Sequence, residues 1–285
     1  MIFLLISTLL FAFNSVLWKK NLENVKYLHL TAYRAFFTSF ISFAVLIYLG
    51  VDWQLIIEIP FLYVSVGSVF GAVGLFSMLY VIKSAPLQWI GLYNLVGVIF
   101  TYMYLYLIED IKVTHSKLGL FFIFLGFVLY LYKHRTGEQN LNIKQHILLT
   151  LMVFGFGMAS ILHWKNLSSL IHPIYILWNQ EIVVFSISIP FFWLSKTFDF
   201  SPFVFIKAYF FRVIFMSLVI FFALYFSLLG LEATNPIILS VQTLGTPLLT
   251  ILFGALFFKE KIHIFDIISI VLILTGAFLI NFYEF

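Results

Sequence analysis

Two stretches of this chain, 150 positions apart, spell one element twice. Ser84-Ala85-Pro86, an apolar run, then Ile108-Glu109-Asp110 and Gly126 align with Thr234-Asn235-Pro236, an apolar run, then Phe258-Lys259-Glu260 and Gly276. The offset holds without a gap from Phe76-Ser77 against Phe226-Ser227 to Leu129 against Leu279. Internal repeats of this length build a structure from two copies of one supersecondary unit, and in membranes they commonly face each other across a site.

The solvent of that structure follows from composition. With 63% hydrophobic and 10% charged residues in 285, the chain has too little polar surface to cover a soluble domain. Apolar stretches of about 20 residues, the length that crosses a bilayer core, recur throughout. In hydrocarbon every backbone group must be satisfied within its own segment, so these stretches are helices. Ten spans are expected, near 2–17, 29–49, 60–82, 87–108, 117–132, 146–163, 172–194, 205–229, 236–258 and 264–282. The first is read as a retained helix: no basic segment or small-residue cleavage site marks it as a leader. The polar break Lys133-His134-Arg135-Thr136-Gly137-Glu138-Gln139-Asn140 separates two sets of five, giving domains at 1–135 and 144–285.

The early parts of the halves also correspond. Asn14-Ser15-Val16-Leu17-Trp18-Lys19 resembles Ser160-Ile161-Leu162-His163-Trp164-Lys165. Five spans per copy is an odd number, so the second copy enters the membrane from the opposite side. The expected fold class is therefore all-α integral membrane, ten transmembrane helices as two inverted five-helix repeats.

These residues resemble a known family. Phe11-Ala12-Phe13-Asn14 followed by Lys19 is similar to the W-G-x-N-x4-K of the EamA-type family, within the drug/metabolite transporter superfamily. Leu30-Thr31-Ala32-Tyr33-Arg34 is similar to its L-x-x-x-R signature. Asn235-Pro236 through Pro247 and Gly254 to Phe258-Lys259-Glu260-Lys261, ending in Thr275-Gly276, resembles its helix nine, acidic turn and helix ten. The first copy departs from that pattern, with Gly97 where Pro247 stands and Asp110 where Glu260 stands. The resemblance implies a secondary transporter moving a small metabolite, such as an amino acid, a nucleobase or a similar amphipathic solute. Export by alternating access is expected, in the bacterial plasma membrane.

Candidate site residues come from polar groups placed where burial is expensive. An ionisable side chain at mid-span costs roughly 2.5–3.5 kcal/mol on insertion scales. Glu181, within Trp178-Asn179-Gln180-Glu181, reads either as a cavity carboxylate that couples to protons or as the partner of a buried arginine. Arg34 reads as a gating or structural ion-pair residue and Arg212 as a snorkelling one. Asp266 is expected at the interface. Gln242, Thr246 and Thr250 follow i, i+4, i+8 and form a polar stripe, with Ser240, Thr243 and Pro247 beside it. Asn94 and Thr101 share a face of the fourth helix. Trp178 and Tyr93 lie deep enough to stack on a planar cargo, although packing is the commoner role. The expected cavity residues are Asn14, Arg34, Tyr93, Asn94, Trp178, Asn179, Glu181, Gln242, Thr243 and Thr246, with Glu181 the coupling candidate. Gly119, Gly126 and Gly276 read as sites of close helix packing.

Other classes leave no trace. The net charge of +4 is spread over short loops, so membrane topology explains it better than nucleic acid. No cysteine is present, and no pair of the seven histidines has metal-ligand spacing on a helical face. Nucleotide-binding and hydrolase motifs are missing, so no enzyme, cofactor or metal is expected; an intramembrane enzyme acting on a lipid-soluble substrate is the alternative class. Expected partners are the lipid bilayer, small-molecule cargo and protons, with the chain a monomer or weak dimer. Two arguments oppose each other on orientation. Lysines and arginines concentrate in the connections after odd-numbered spans, which by the positive-inside rule puts both termini outside. The family resemblance implies cytoplasmic termini, and that orientation is adopted.

Overall fold

The computed structural model describes residues 2–22, 27–51, 61–109, 117–134, 141–194, 202–234, 245–260, 262 and 264–282. Every regular element among them is a helix: α1 (Ile2–Leu22), α2 (Tyr27–Tyr48), α3 (Phe61–Ile82), α4 (Leu87–Ile108) and α5 (Lys117–His134). After the polar break come α6 (Ile143–Ser168), α7 (Pro173–Leu194), α8 (Pro202–Glu232), α9 (Gly245–Phe258) and α10 (Ile264–Phe282). Among the described residues, five stretches are long and apolar enough to cross a membrane: α1, α2, α3, α6 and Tyr209–Glu232 of α8.

The helices start and stop where backbone chemistry asks. Pro86 is the N-cap of α4, and α7 opens on Pro173, positions where a missing N–H costs little. α6 begins three residues earlier than expected because Asn142 and Gln145 form a reciprocal capping box, each side chain taking the other's backbone N–H at 2.9 Å. It also continues five residues past its expected end, to Ser168. That extension carries His163 into the body of a helix.

The outward faces are apolar, with Leu5 and Leu9 on α1, Phe36, Phe40 and Ile47 on α2, and Leu62, Val66 and Val69 on α3 all exposed. The inward faces carry small and polar residues instead. Their hydroxyls bond back to their own helices: Thr8 donates to the Leu4 carbonyl at 2.7 Å, Thr38 to Arg34 at 2.9 Å and Ser42 to Thr38 at 2.7 Å. This lets a hydroxyl be buried without a partner helix. Ser217 of α8 adds a link across helices, donating to the Arg34 carbonyl at 3.1 Å.

The principal packings come in matched sets. α3 lies on α6 as α8 lies on α1, α3 on α7 as α8 on α2, and α1 on α9 as α6 on α4. α2 meets α7, α4 meets α9 and α5 meets α10, so each of these pairs matches itself when helix n is exchanged for helix n+5. α3 and α6 approach so closely at Gly74 and Gly155 that a Cβ on Gly155 would stand 2.7 Å from the Gly74 nitrogen and the Phe70 carbonyl oxygen. α5 and α10 cross where Gly119 faces Gly276, the seam that the sequence placed at these glycines. Asp266 lies in the first turn of α10, where the helix dipole favours a carboxylate, and is 1% exposed.

Candidate functional site

Helices α1, α2, α3, α4, α6, α7, α8 and α9 surround a cavity of about 290 Å³. Its charged centre is an ion pair between helices of opposite halves. Arg34 Nη1 of α2 lies 2.8 Å from Glu181 Oε2 of α7, and the side chains are 1% and 2% exposed. On its other side the Arg34 guanidinium lies 5.8 Å from the ring of Trp18. Glu181 therefore both lines the cavity and partners a buried arginine.

Around this pair the wall is rich in polar atoms that the protein leaves unengaged. Asn14 Oδ1, Trp18 Nε1, Arg34 Nε, Ser160 Oγ and Thr246 Oγ1 are buried without a hydrogen-bond partner among the described residues, and all belong to residues lining the cavity. An unmet buried donor or acceptor costs about 1–3 kcal/mol, so a native protein keeps such groups together only where something satisfies them. Phe11 and Phe156 supply aromatic surface, while Asn94 and Gln180 add two carboxamides.

Of the residues expected from sequence, Asn14, Arg34, Asn94, Glu181 and Thr246 meet at this cavity. Three others are engaged elsewhere. The Tyr93 hydroxyl lies 2.7 Å from His146 Nδ1, and its ring packs edge-on against Phe127. Trp178 packs among Phe43, Phe61 and Tyr175. Asn179 staples α7 to α3, accepting from the Ser68 hydroxyl at 2.6 Å and donating to Ser65 Oγ at 3.0 Å. Gln242 and Thr243 fall outside the described residues, as do Ser240, Asp110 and the Asn235-Pro236 start of the ninth span. Arg212 is exposed, with its guanidinium 5.7 Å from the Tyr209 ring, as a snorkelling residue would be.

Sequence reasoning passed over Trp18, Ser160, Gln180 and His163 as cavity residues. A signal for two of them was present in the repeat itself. Ser160 aligns with Asn14, and His163 is one helical turn further along the same face. His163 was placed at a helix end because α6 was expected to stop there.

A second polar cluster closes the end of the molecule where α1 finishes. Lys19 Nζ donates to Glu260 Oε1 at 2.6 Å and to the Ala85 carbonyl at 3.2 Å, and lies 4.8 Å over the Phe258 ring. The same Glu260 oxygen accepts the Leu87 N–H at 3.0 Å. Pro86 offers no side-chain cap, so a carboxylate from the other half satisfies the first turn of α4. The chain reaches this position through Lys259, whose φ of +54° turns it sharply after α9. At the opposite end Lys165 of α6 pairs with Glu109 after α4 at 2.5 Å, and is more exposed. Lys165 is the residue that the repeat aligns with Lys19. Glu260→Ala is expected to lower stability by about 1.5–3 kcal/mol, the worth of a charge-assisted bond, and Glu260→Gln by less because it keeps an acceptor for Leu87. Thermal unfolding of the two variants in detergent checks the order, and equal losses would mean that the cap contributes nothing.

Comparison with known proteins places the chain further. Residues 143–282, the second half, match the EamA-like transporter family. No curated protein matches the chain. A solved structure described only as "Crystal structure of protein" is 14% identical over 97% of both chains, with a TM-score of 0.68. Likeness at that identity carries the fold alone.

Proposed function

The chain belongs to the EamA-like transporter family, and on that premise we propose that it exports a small solute by alternating access through the central cavity. An integral membrane protein of a solute-transporter family needs a place for cargo. The observation that carries the reading is the convergence of polar residues, Asn14, Arg34, Asn94, Ser160, Glu181 and Thr246, from α1, α2, α4, α6, α7 and α9 on one cavity. The rocking units are two inverted five-helix repeats, 1–135 and 144–285, with all ten helices crossing the bilayer. The matched packing of helix n and helix n+5 supports this division. Ion pairs between the halves at both ends, Lys19–Glu260 and Lys165–Glu109, stand where an alternating gate would open. The membrane is a bacterial plasma membrane with both termini cytoplasmic, a topology that a reporter fused after Phe285 tests directly.

Glu181 is the proposed proton-coupling group. A proton on its carboxylate would remove the charge that holds Arg34, freeing α2 from α7 as the cavity changes sides. Glu181→Gln keeps the shape and removes the titration. In proteoliposomes with an imposed pH gradient, the variant is expected to lose pH-driven accumulation of cargo while retaining exchange. Unchanged pH-driven accumulation by a well-folded variant overturns the coupling role.

A further inference from the structure

Resting on the alternating-access reading, we infer that Glu260 is a latch that holds shut the end where α1 finishes, so that the relaxed protein opens its cavity toward the opposite end. The two ends are tied unequally. At the first, one carboxylate of the second half holds two helices of the first. Its Oε1 accepts from Lys19 of α1 at 2.6 Å and from the Leu87 N–H of α4 at 3.0 Å. Lys19 adds the Ala85 carbonyl at 3.2 Å, and the Lys19 and Glu260 side chains are 17% and 7% exposed. At the other end the Lys165 and Glu109 side chains are 35% and 25% exposed, and they join a single helix, α6, to the end of α4. An exposed ion pair is screened and holds little, whereas charge-assisted bonds shielded from water hold more.

The turn that carries Glu260 is shaped to present its carboxylate. Lys259, at a φ of +54°, turns the chain sharply after α9, and the Glu260 N–H donates to the Gly254 carbonyl at 3.3 Å. A Cβ on Gly254 would stand 2.5 Å from Glu260 Oε2, so the glycine leaves the carboxylate its place. Its partners are also releasable: Lys19 and the first-turn N–H of α4 lie at a helix end, where water can take over their bonds. The direction of opening follows from the chain. Lys144 at the start of α6 donates to the Tyr80 hydroxyl near the end of α3 at 2.8 Å, and Ala85 of the latch follows directly on α3. α6 therefore starts at the latched end and carries Lys165 to the other. α1 runs toward the latch and α10 away from it, which puts the start of α1 and the end of α10 at the end that opens. With cytoplasmic termini, the relaxed cavity faces the cytoplasm, where an exporter takes its cargo.

The chain has no cysteine, so paired spin labels read each end separately in the full chain in nanodiscs. Lys20→Cys with Ile262→Cys spans the latch, and Leu107→Cys with Ser168→Cys spans the other end; all four positions are exposed. With Glu260 intact, one short distance is expected at the first pair. Glu260→Ala is expected to add a longer one, raising the open fraction on the order of tenfold, while the second pair draws together. Glu260→Gln keeps an acceptor for Leu87, so it is expected to move both pairs the same way by less. It carries the test if the alanine variant fails to fold. First-pair distances unchanged in a folded variant overturn the latch and leave Glu260 a structural cap. The carrier reading is judged separately. A first pair that opens while the second stays put keeps the latch and counts against alternation. Pairs that change in opposite senses with pH, equally in the intact protein and in both variants, keep alternation and remove the latch.

Discussion

Arg34→Met is expected to destabilise the folded protein by about 3–5 kcal/mol, the usual cost of removing one partner from a buried ion pair. The size follows from what stays behind. Glu181 is 2% exposed in its side chain, and without Arg34 its carboxylate stays buried with no compensating charge among the described cavity residues. The Ser217 bond to the Arg34 carbonyl survives the change, because it uses backbone. Thermal unfolding in detergent measures the loss. The double variant Arg34→Met, Glu181→Leu is expected to recover most of it, since replacing both charges by apolar groups of similar volume is often neutral or stabilising. It should fold and yet lose pH-driven accumulation of cargo. A double variant as unstable as the single would mean that Arg34 acts through packing against Trp18, and not through its charge.

Gly155→Ala is expected to be among the more damaging single methyls at the described glycines, at about 1–3 kcal/mol or more. The new Cβ would stand 2.7 Å from the Phe70 carbonyl oxygen and the Gly74 nitrogen, and 3.0 Å from Gly74 Cα. These neighbours are all backbone of α3, so no side chain can swing aside and the helices must separate. α3 and α6 form one wall of the cavity, with Gly71, Leu75, Val153 and Gly157 along it, so the same shift should weaken transport. Gly97→Ala is the control. Its Cβ would meet only Val153 Cγ1, at 3.7 Å, and Ala in a helix is favoured over Gly by roughly 0.5–1 kcal/mol. Gly97→Ala should therefore be neutral or stabilising. Equal unfolding temperatures for the two variants would show that α3 and α6 have room to move apart.

The sequence by itself determined the element type, the near boundaries of most helices and the pairing of the halves. Length and apolar content suffice for that, because hydrocarbon leaves a twenty-residue stretch no structure but helix. The repeat also foretold correspondences that geometry repeats, such as Lys19 with Lys165 and Asn14 with Ser160, each pair in like roles. What only tertiary structure decided is the direction in which each helix turns its side chains. In water an apolar stripe marks the inner face; here lipid-facing and core-facing sides are both apolar, and periodicity loses its contrast. Tyr93, Trp178 and Asn179 were therefore equal candidates with Asn94 and Glu181 until packing turned the first toward His146, the second toward Phe43 and Phe61, and the third toward Ser68. His163 went unnoticed for the complementary reason: five extra residues of helix, a local feature, moved it from an end to the cavity wall. The meeting of Arg34 with Glu181 is a property of how α2 lies on α7. A charge so buried must find its opposite, and only the packed helices determine which one lies within 2.8 Å.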